Sequence, residues 1–211
     1  MNIGSRDNFD KVILKIYGNK FKGSYVEVGG HHPLIQSNSY ILDKSGWSGI
    51  VIEPQTVFND LYKEHRSCIL ENIALVSFDC NKTKIDFIID EDCNSKTSCV
   101  SNDGKHLWRK HINGYHIEQV PCCTLQFILD KHKMHYINVM SIDVESYELN
   151  VLNGIDFNKS YFDIISLEHF NSAFESFFKS KSYKKHEELG KKTNSSFYVN
   201  QKSPIHKQIF I

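Results

Sequence analysis

Arginine is nearly missing from this chain of 211 residues: it stands only at Arg6, Arg66 and Arg109, within 25 Lys and Arg residues that 25 Asp and Glu residues balance to zero net charge. A nucleic-acid surface usually recruits a dense basic face, so a nucleic-acid partner is disfavoured. No acidic tail points to a basic partner either. None of the six cysteines forms a C-x-x-C pair, and the neighbours Cys122 and Cys123 have the wrong geometry for an easy mutual disulfide. Reduced, mostly buried thiols follow. No stretch approaches the roughly 20 apolar residues of a membrane span, and Lys11, Lys15, Asn19, Lys20 and Lys22 interrupt every candidate signal-peptide core. The expectation is a protein of the reducing cytoplasm with no membrane partner. Internal repeats and long low-complexity segments are also lacking. The length suits one α/β domain burying roughly 70% of its unfolded surface, so residues 1–211 are expected to form a single domain; nothing in the pattern sets an oligomeric state.

What is present is an alternation of short apolar runs and amphipathic stretches. Asp10–Tyr17 has near-helical spacing, and Tyr25-Val-Glu-Val28 reads as a first strand ending at Gly29-Gly30. Ser37-Asn38 is expected to cap a helix carrying Tyr40, Ile41 and Leu42. Ile50-Val51-Ile52 reads as a second, buried strand stopping at Glu53-Pro54. A helix with Val57, Leu61 and Tyr62 and a third strand within Cys68–Leu75 complete a βαβαβ rhythm. Residues 79–120 are polar, with strand-like runs only at Ile85–Ile89 and Tyr115–Val120, and are expected to be an insertion or lid. Thr124–His132 reads as a helix, Tyr136–Ile142 as strand four, Glu148–Leu152 as a helix ending near Gly154, and Phe162–Leu167 as strand five. After a helix around Ser172–Lys179, Ser196–Val199 and His206–Ile211 are expected to close the sheet as an antiparallel hairpin.

In open parallel sheets ligands bind outside the carboxyl ends of the strands. Here those ends carry Glu27, Glu53, Asp143 and Glu168, which should converge on one crevice. Gly29-Gly30 lets backbone approach a ligand, but His31, His32 and Pro33 replace the later glycines of a G-x-G-x-x-G turn, which disfavours a nicotinamide dinucleotide. Glu53, in the low twenties of residues beyond that turn, can accept hydrogen bonds from both hydroxyls of a ribose. A solvated carboxylate at a strand end is the plainer alternative. The histidines His31, His32, His106, His111 and His116 lack metal-ligand spacing, so no histidine metal site is expected. Asp143, Glu145 and Glu168 together offer oxygen ligands for a divalent cation, an alternative ranked below the metal-free reading.

The blocks Tyr25-Val-Glu-Val-Gly-Gly, Ser37-Asn-Ser-Tyr, Gly46-Trp-Ser-Gly-Ile-Val-Ile-Glu-Pro54, Asn72-Ile-Ala, Ser141-Ile-Asp-Val-Glu-Ser-Tyr-Glu148 and Ile165-Ser-Leu-Glu-His169 span residues 25–169. With them the chain resembles the FkbM family of O-methyltransferases. The resemblance implies a Rossmann-like class I methyltransferase fold, a mostly parallel twisted sheet with helices on both faces. It also implies S-adenosylmethionine as cofactor and a hydroxyl of a small-molecule or glycan-like acceptor as target. Carried over by position, Glu27, Gly29 and Gly30 wall the cofactor's amino-acid end, Asn38 donates to its carboxylate, Glu53 holds the ribose, and Asn72 and Ala74 lie beside the adenine. Asp143 contacts cofactor or, with Glu145, orients or deprotonates the acceptor; His169 is the alternative base. Residues 79–120 are expected to help form the acceptor pocket. Two departures from the family pattern, Pro33 in place of a glycine and Ser146 after Glu145, keep open a catalytically inactive binding module as the rival; a ribose methyltransferase of nucleic acid is a further one.

Overall fold

A computed structural model of the chain describes residues 3–5, 7–90, 99–100, 114–168, 172–193 and 195–209. Phe9–Tyr17 (α1) leads into Ser24–Val28 (β1), Tyr40–Lys44 (α2) and Ser48–Ile52 (β2). A short 3-10 turn at Thr56–Phe58 and Asn59–His65 (α3) bring the chain back to Ile69–Glu71 (β3) and Ala74–Leu75 (β4). Lys84–Asp90 (β5), Cys99–Val100 (β6) and Tyr115–Cys123 (β7) come next, then Leu125–Lys131 (α4), Tyr136–Ile142 (β8) and Glu148–Leu152 (α5). Tyr161–Leu167 (β9), Ser172–Ser180 (α6), Tyr183–Lys185 (β10), Glu187–Thr193 (α7), Ser196–Asn200 (β11) and Pro204–Ile209 (α8) complete the order.

The central sheet runs β10-β11-β9-β8-β1-β2-β3. Its β3, β2, β1, β8 and β9 pair in parallel, whereas β11 is antiparallel to both β9 and β10. Alternation along the strands sends side chains to two apolar layers. Val26, Val28, Ile50, Ile52, Met140 and Ile142 pack with Leu125, Ile128 and Leu129 of α4, Val151 and Leu152 of α5, and Phe174 and Phe178 of α6. Tyr25, Val51 and Val139 face the other way, toward Phe9 and Ile13 of α1, Leu42 of α2, Tyr62 of α3, Leu189 of α7 and Ile205 of α8. Helices therefore cover both faces, and each fully buried aliphatic side chain contributes about 1.5–3 kcal/mol. Thr124 caps α4 as its position suggests, its hydroxyl oxygen accepting the Phe127 N–H at 3.2 Å. Among the described residues Cys68, Cys80, Cys122 and Cys123 are free thiols, and no helix is long and apolar enough to cross a membrane.

Three expectations change. The run Cys68–Leu75 is two strands: it breaks at Asn72, whose amide nitrogen donates to the backbone carbonyls of Glu53 (2.9 Å) and Gln55 (3.3 Å). Beyond the break, β4 joins a second, smaller sheet in the order β4-β7-β5-β6, so the strand-like parts of residues 79–120 are paired structure. Ser37 and Asn38 do not cap α2, and the Ser39 side chain makes no cap bond; these residues are drawn to the Glu27 carboxylate instead. The expected terminal hairpin of 196–199 with 206–211 does not form. The partner of β11 is β10, and Pro204 opens a helix whose first turn is held by the Ile205 N–H donating to Ser203 Oγ at 3.2 Å. Residues 210 and 211 lie outside the described range.

Candidate active site

Parallel pairing carries straight through the ends of the strands and sets the site residues side by side. Gly29 N–H donates to the Ile52 carbonyl (2.9 Å), Glu53 N–H to Glu71 (3.0 Å), Asp143 N–H to Val28 (3.0 Å) and Glu168 N–H to Ile142 (3.3 Å). Across the sheet the row therefore reads Glu53, Gly29, Asp143, Glu168, with neighbouring strands about 4.8 Å apart. Gly29 has a backbone reason to be glycine: its φ is +84° and a Cβ there would lie 1.8 Å from the Asp143 carbonyl oxygen.

Two cavities open on this row. The larger, a polar cleft of about 430 Å³, is lined by Gly29, Gly30, His31, Asn38, Glu53, Ser141, Asp143, Glu145 and Glu168, and on its outer side by Asp7, Phe9, Ile35, Gln36, Thr193 and Ser195. The smaller is an apolar slot of about 50 Å³ between Ile52, Pro54, Ile73, Ala74, Phe87, Val100, Val144, Tyr147 and Val151. They meet at three shared residues, Gly29, Glu53 and Asp143. No described residue of 79–120 lines the larger cleft. The small sheet gives Phe87 and Val100 to the slot, and Asp7, Phe9, Thr193 and Ser195 line the cleft; residues 91–98 and 101–113 of the segment expected at the acceptor pocket lie outside the described residues.

Glu53 is 3% exposed, and its two carboxylate oxygens accept the N–H groups of His31 (2.7 Å) and Gln55 (2.9 Å). Burial pushes its pKa up, against those two hydrogen bonds. The same carboxylate lines both cavities, so one side chain ties down the loop and faces the space a ligand hydroxyl would fill. The loop 29–36 is otherwise tied down by the chain itself: His32 Nδ1 accepts from Leu34 N–H (3.1 Å) and Ile35 N–H (3.2 Å), and the Pro33 carbonyl accepts from Arg66 (2.9 Å). Pro33 is thus a fixed corner of a preformed wall.

Glu27 is not among the residues lining either cavity. Its carboxylate accepts from the Ser37 hydroxyl (3.0 Å), the Asn38 N–H (2.6 Å) and the Ser39 hydroxyl, and organises the cleft from behind. Burial raises its pKa, and the nearby Arg66 charge opposes that rise. Asn38 does face the cleft, its amide nitrogen donating to Ser141 Oγ at 2.9 Å. Asn72 lines neither cavity, whereas Ala74 lines the slot. His169 lies outside the described residues, as do His106 and His111; His116 is exposed beside Glu118.

Asp143, Glu145 and Glu168 each bring a carboxylate oxygen to within 4.8 Å of the others, a grouping with the chemistry of a divalent-cation ligand set. The Asp143 carboxyl is held well above the usual range, first by burial, then by its hydrogen bond to Glu168 and the charges of Glu168, Glu145 and Glu148. Two hydrogen-bonded carboxyls must share a proton or face a compensating cation. Glu145 and Ser146 sit at φ +54° and +77°, and Ser146 N–H donates to the Glu148 carboxylate at 3.2 Å, so the turn folds without the glycine of the family pattern.

Sequence reasoning missed the buried network beneath the cleft. Arg66 pairs with Asp43 at 2.9 Å, both side chains at most 1% exposed, and also donates to Ser37 (3.0 Å), Ser39 (2.7 Å) and Tyr25 (3.2 Å). In the polar run Glu64-His65-Arg66-Ser67 nothing marks one charge as buried. The scarcity of arginine was the only available signal.

A mostly parallel sheet with carboxylates at its strand ends, glycines at the central strand and a slot and cleft that share residues defines an open α/β domain whose crevice lies at the carboxyl ends of the strands. The chain belongs to the FkbM methyltransferase domain family, whose model matches residues 27–193. It is a methyltransferase domain by that membership. No curated protein and no solved structure matches it.

Proposed function

We propose that this chain transfers a methyl group from S-adenosylmethionine to a hydroxyl of a small-molecule or glycan-like acceptor. The observation that carries the reading is the junction of the apolar slot and the polar cleft at Gly29, Glu53 and Asp143. An adenosyl cofactor needs a flat apolar compartment, a diol acceptor and a polar compartment in that order, and the residues fit it. Ile73, Ala74, Phe87 and Tyr147 would hold the adenine, Glu53 the ribose, and Gly29, Gly30, Asn38 and Ser141 the amino-acid end. The sheet order, with one antiparallel strand between two others at the β9 edge, agrees with a class I methyltransferase arrangement.

A cofactor held by those residues would supply an electrophilic methyl group on a sulfonium, and the acceptor hydroxyl would supply the oxygen lone pair for the new C–O bond, the C–S electron pair remaining with sulfur. The chain's task is orientation, exclusion of water and removal of the acceptor proton. Correct orientation can supply roughly 7–11 kcal/mol of the barrier. Asp143 and Glu145 stand at the cleft to orient the acceptor hydroxyl or take its proton. Phe9, Ile35, Thr193 and Ser195 wall the side from which an acceptor enters. Calorimetric titration with S-adenosylhomocysteine tests the cofactor half, and no heat at millimolar ligand would sink it. Transfer of radiolabelled methyl groups to a panel of neutral glycosides tests the acceptor half. Binding without transfer to any hydroxyl compound would favour the inactive module.

A further inference from the structure

The fold sorts the described thiols into three apolar layers. Cys68 packs against the layer around Tyr25 and Val51, and Cys123 against the layer around Leu125 and Met140. Cys80 and Cys122 share the third layer, with Val76, Phe87 and Val120. Strand alternation is what parts Cys122 from its neighbour Cys123. The order β4-β7-β5 makes the connection 76–83 cross the carboxyl end of β7, and local bonds hold it down there. Cys80 N–H donates to the Ser77 carbonyl (3.1 Å), Cys122 N–H to that of Thr83 (3.0 Å) and Cys122 Sγ to that of Lys82 (3.3 Å). The two thiols stand in hydrogen-bond contact with each other.

We propose that Cys80 and Cys122 are a reversible dithiol–disulfide pair, oxidised by a small disulfide such as glutathione disulfide, that staples the base of the loop 80–122. β5, β6 and β7 up to Cys122 lie inside this loop, and with them Phe87 and Val100 of the apolar slot. Cys80 is the more exposed sulfur and meets the oxidant first. It loses its proton and attacks one sulfur of glutathione disulfide, expelling a glutathione thiolate that takes up a proton. Cys122 then loses its proton and attacks the Cys80 sulfur of the mixed disulfide, and the second glutathione leaves as its thiol. Two protein thiols are oxidised and one small disulfide is reduced, so the electrons balance. Burial, and then the neighbouring Cys80 sulfur, raise the Cys122 thiol pKa; contact with Cys80 offsets its low thiolate fraction in the second, intramolecular step.

The test equilibrates the full-length protein, under native conditions, in mixtures of reduced and oxidised glutathione, followed by alkylation, cleavage after Lys, Arg and Glu, and mass spectrometry. The peptide 72–82, in which Cys80 is the single cysteine, should be joined to 119–131, and dithiothreitol should separate them. The link should persist in Cys123→Ser and vanish in Cys122→Ala. Hydrogen exchange reads the staple independently. Closing the loop constrains the opened chain, so amides of β5 and β7 should exchange at least about tenfold more slowly in the oxidised protein. In Cys80→Ser, a change at the more exposed sulfur, exchange should be the same in both buffers, which keeps the test readable should Cys122→Ala unfold. Cys80 carrying only glutathione, or joined to any other cysteine, would overturn the proposal, as would a link that forms only in urea. Equal exchange in the reduced and oxidised protein would overturn the staple.

Discussion

Replacing Glu53 by Ala removes the shared acceptor of two backbone N–H groups, His31 at 2.7 Å and Gln55 at 2.9 Å, from a position 3% exposed. Each buried donor left alone costs about 1–3 kcal/mol. Removing a carboxylate whose pKa burial has pushed up recovers part of that. The expected net loss is about 1–4 kcal/mol, read as a lower midpoint in urea with unchanged slope. The fold persists at a lower stability. Binding should suffer separately: losing a charge-assisted bond to a ribose hydroxyl costs roughly 1.5–3 kcal/mol, or about 10- to 150-fold in affinity. A loosened 29–36 loop could weaken binding with no ribose contact at all, so the assay is a cycle pairing Glu53→Ala with a ligand lacking the diol. Adenosine and 2′,3′-dideoxyadenosine are titrated into both proteins. Unsubstituted protein should prefer adenosine by about tenfold or more, and the variant should show almost no preference. Glu53→Gln, with one acceptor oxygen and no charge, should fall between. The same preference in both proteins would refute the ribose assignment, whatever happens to stability.

Arg66→Met should destabilise the chain by about 3–5 kcal/mol in urea unfolding, because it leaves Asp43 and Glu27 buried without their cation; a loss below about 1 kcal/mol would show that the network is not held by charge. Gly29→Ala should cost well over the roughly 1–2 kcal/mol of a left-handed residue, given the 1.8 Å approach to Asp143. Gly18→Ala, at φ +86° and ψ 144° with nothing within 4 Å, should cost only the backbone strain of that glycine-favouring conformation, about 1–3 kcal/mol; similar midpoints for the two variants would contradict the close-approach argument. Burial alone would raise the Glu71 carboxyl, but its bonds to Lys131, at 2.7 Å, and His132 outweigh burial and lower it. A folded pKa below the unfolded value of 4.5 gives stability that is present above that value and lost as pH falls through the lowered one. Glu71→Gln should therefore flatten the acid limb of stability measured by urea unfolding over about pH 3–6, and an unaltered limb would refute the sign.

Periodicity alone located β1, β2, β8 and β9, because strands buried on both faces are continuous apolar runs that end abruptly at a charge. For the same reason Glu53, Asp143 and Glu168 were legible as a converging set: a parallel sheet puts every strand's carboxyl end on one edge. The family was readable from the spacing of its blocks. Tertiary structure decided what these residues bond to. Glu27 and Glu53 are alike in sequence, each an acid in an apolar run, yet Ser37, Asn38 and Ser39 close over Glu27 while Glu53 opens on both cavities. The fate of Cys68–Leu75, the helix at Pro204–Ile209 and the outer wall of the cleft were likewise settled by partners distant in the chain. Local pattern encodes which face of an element is apolar, but a short polar or amphipathic segment takes its conformation from whatever surface the rest of the fold presents to it.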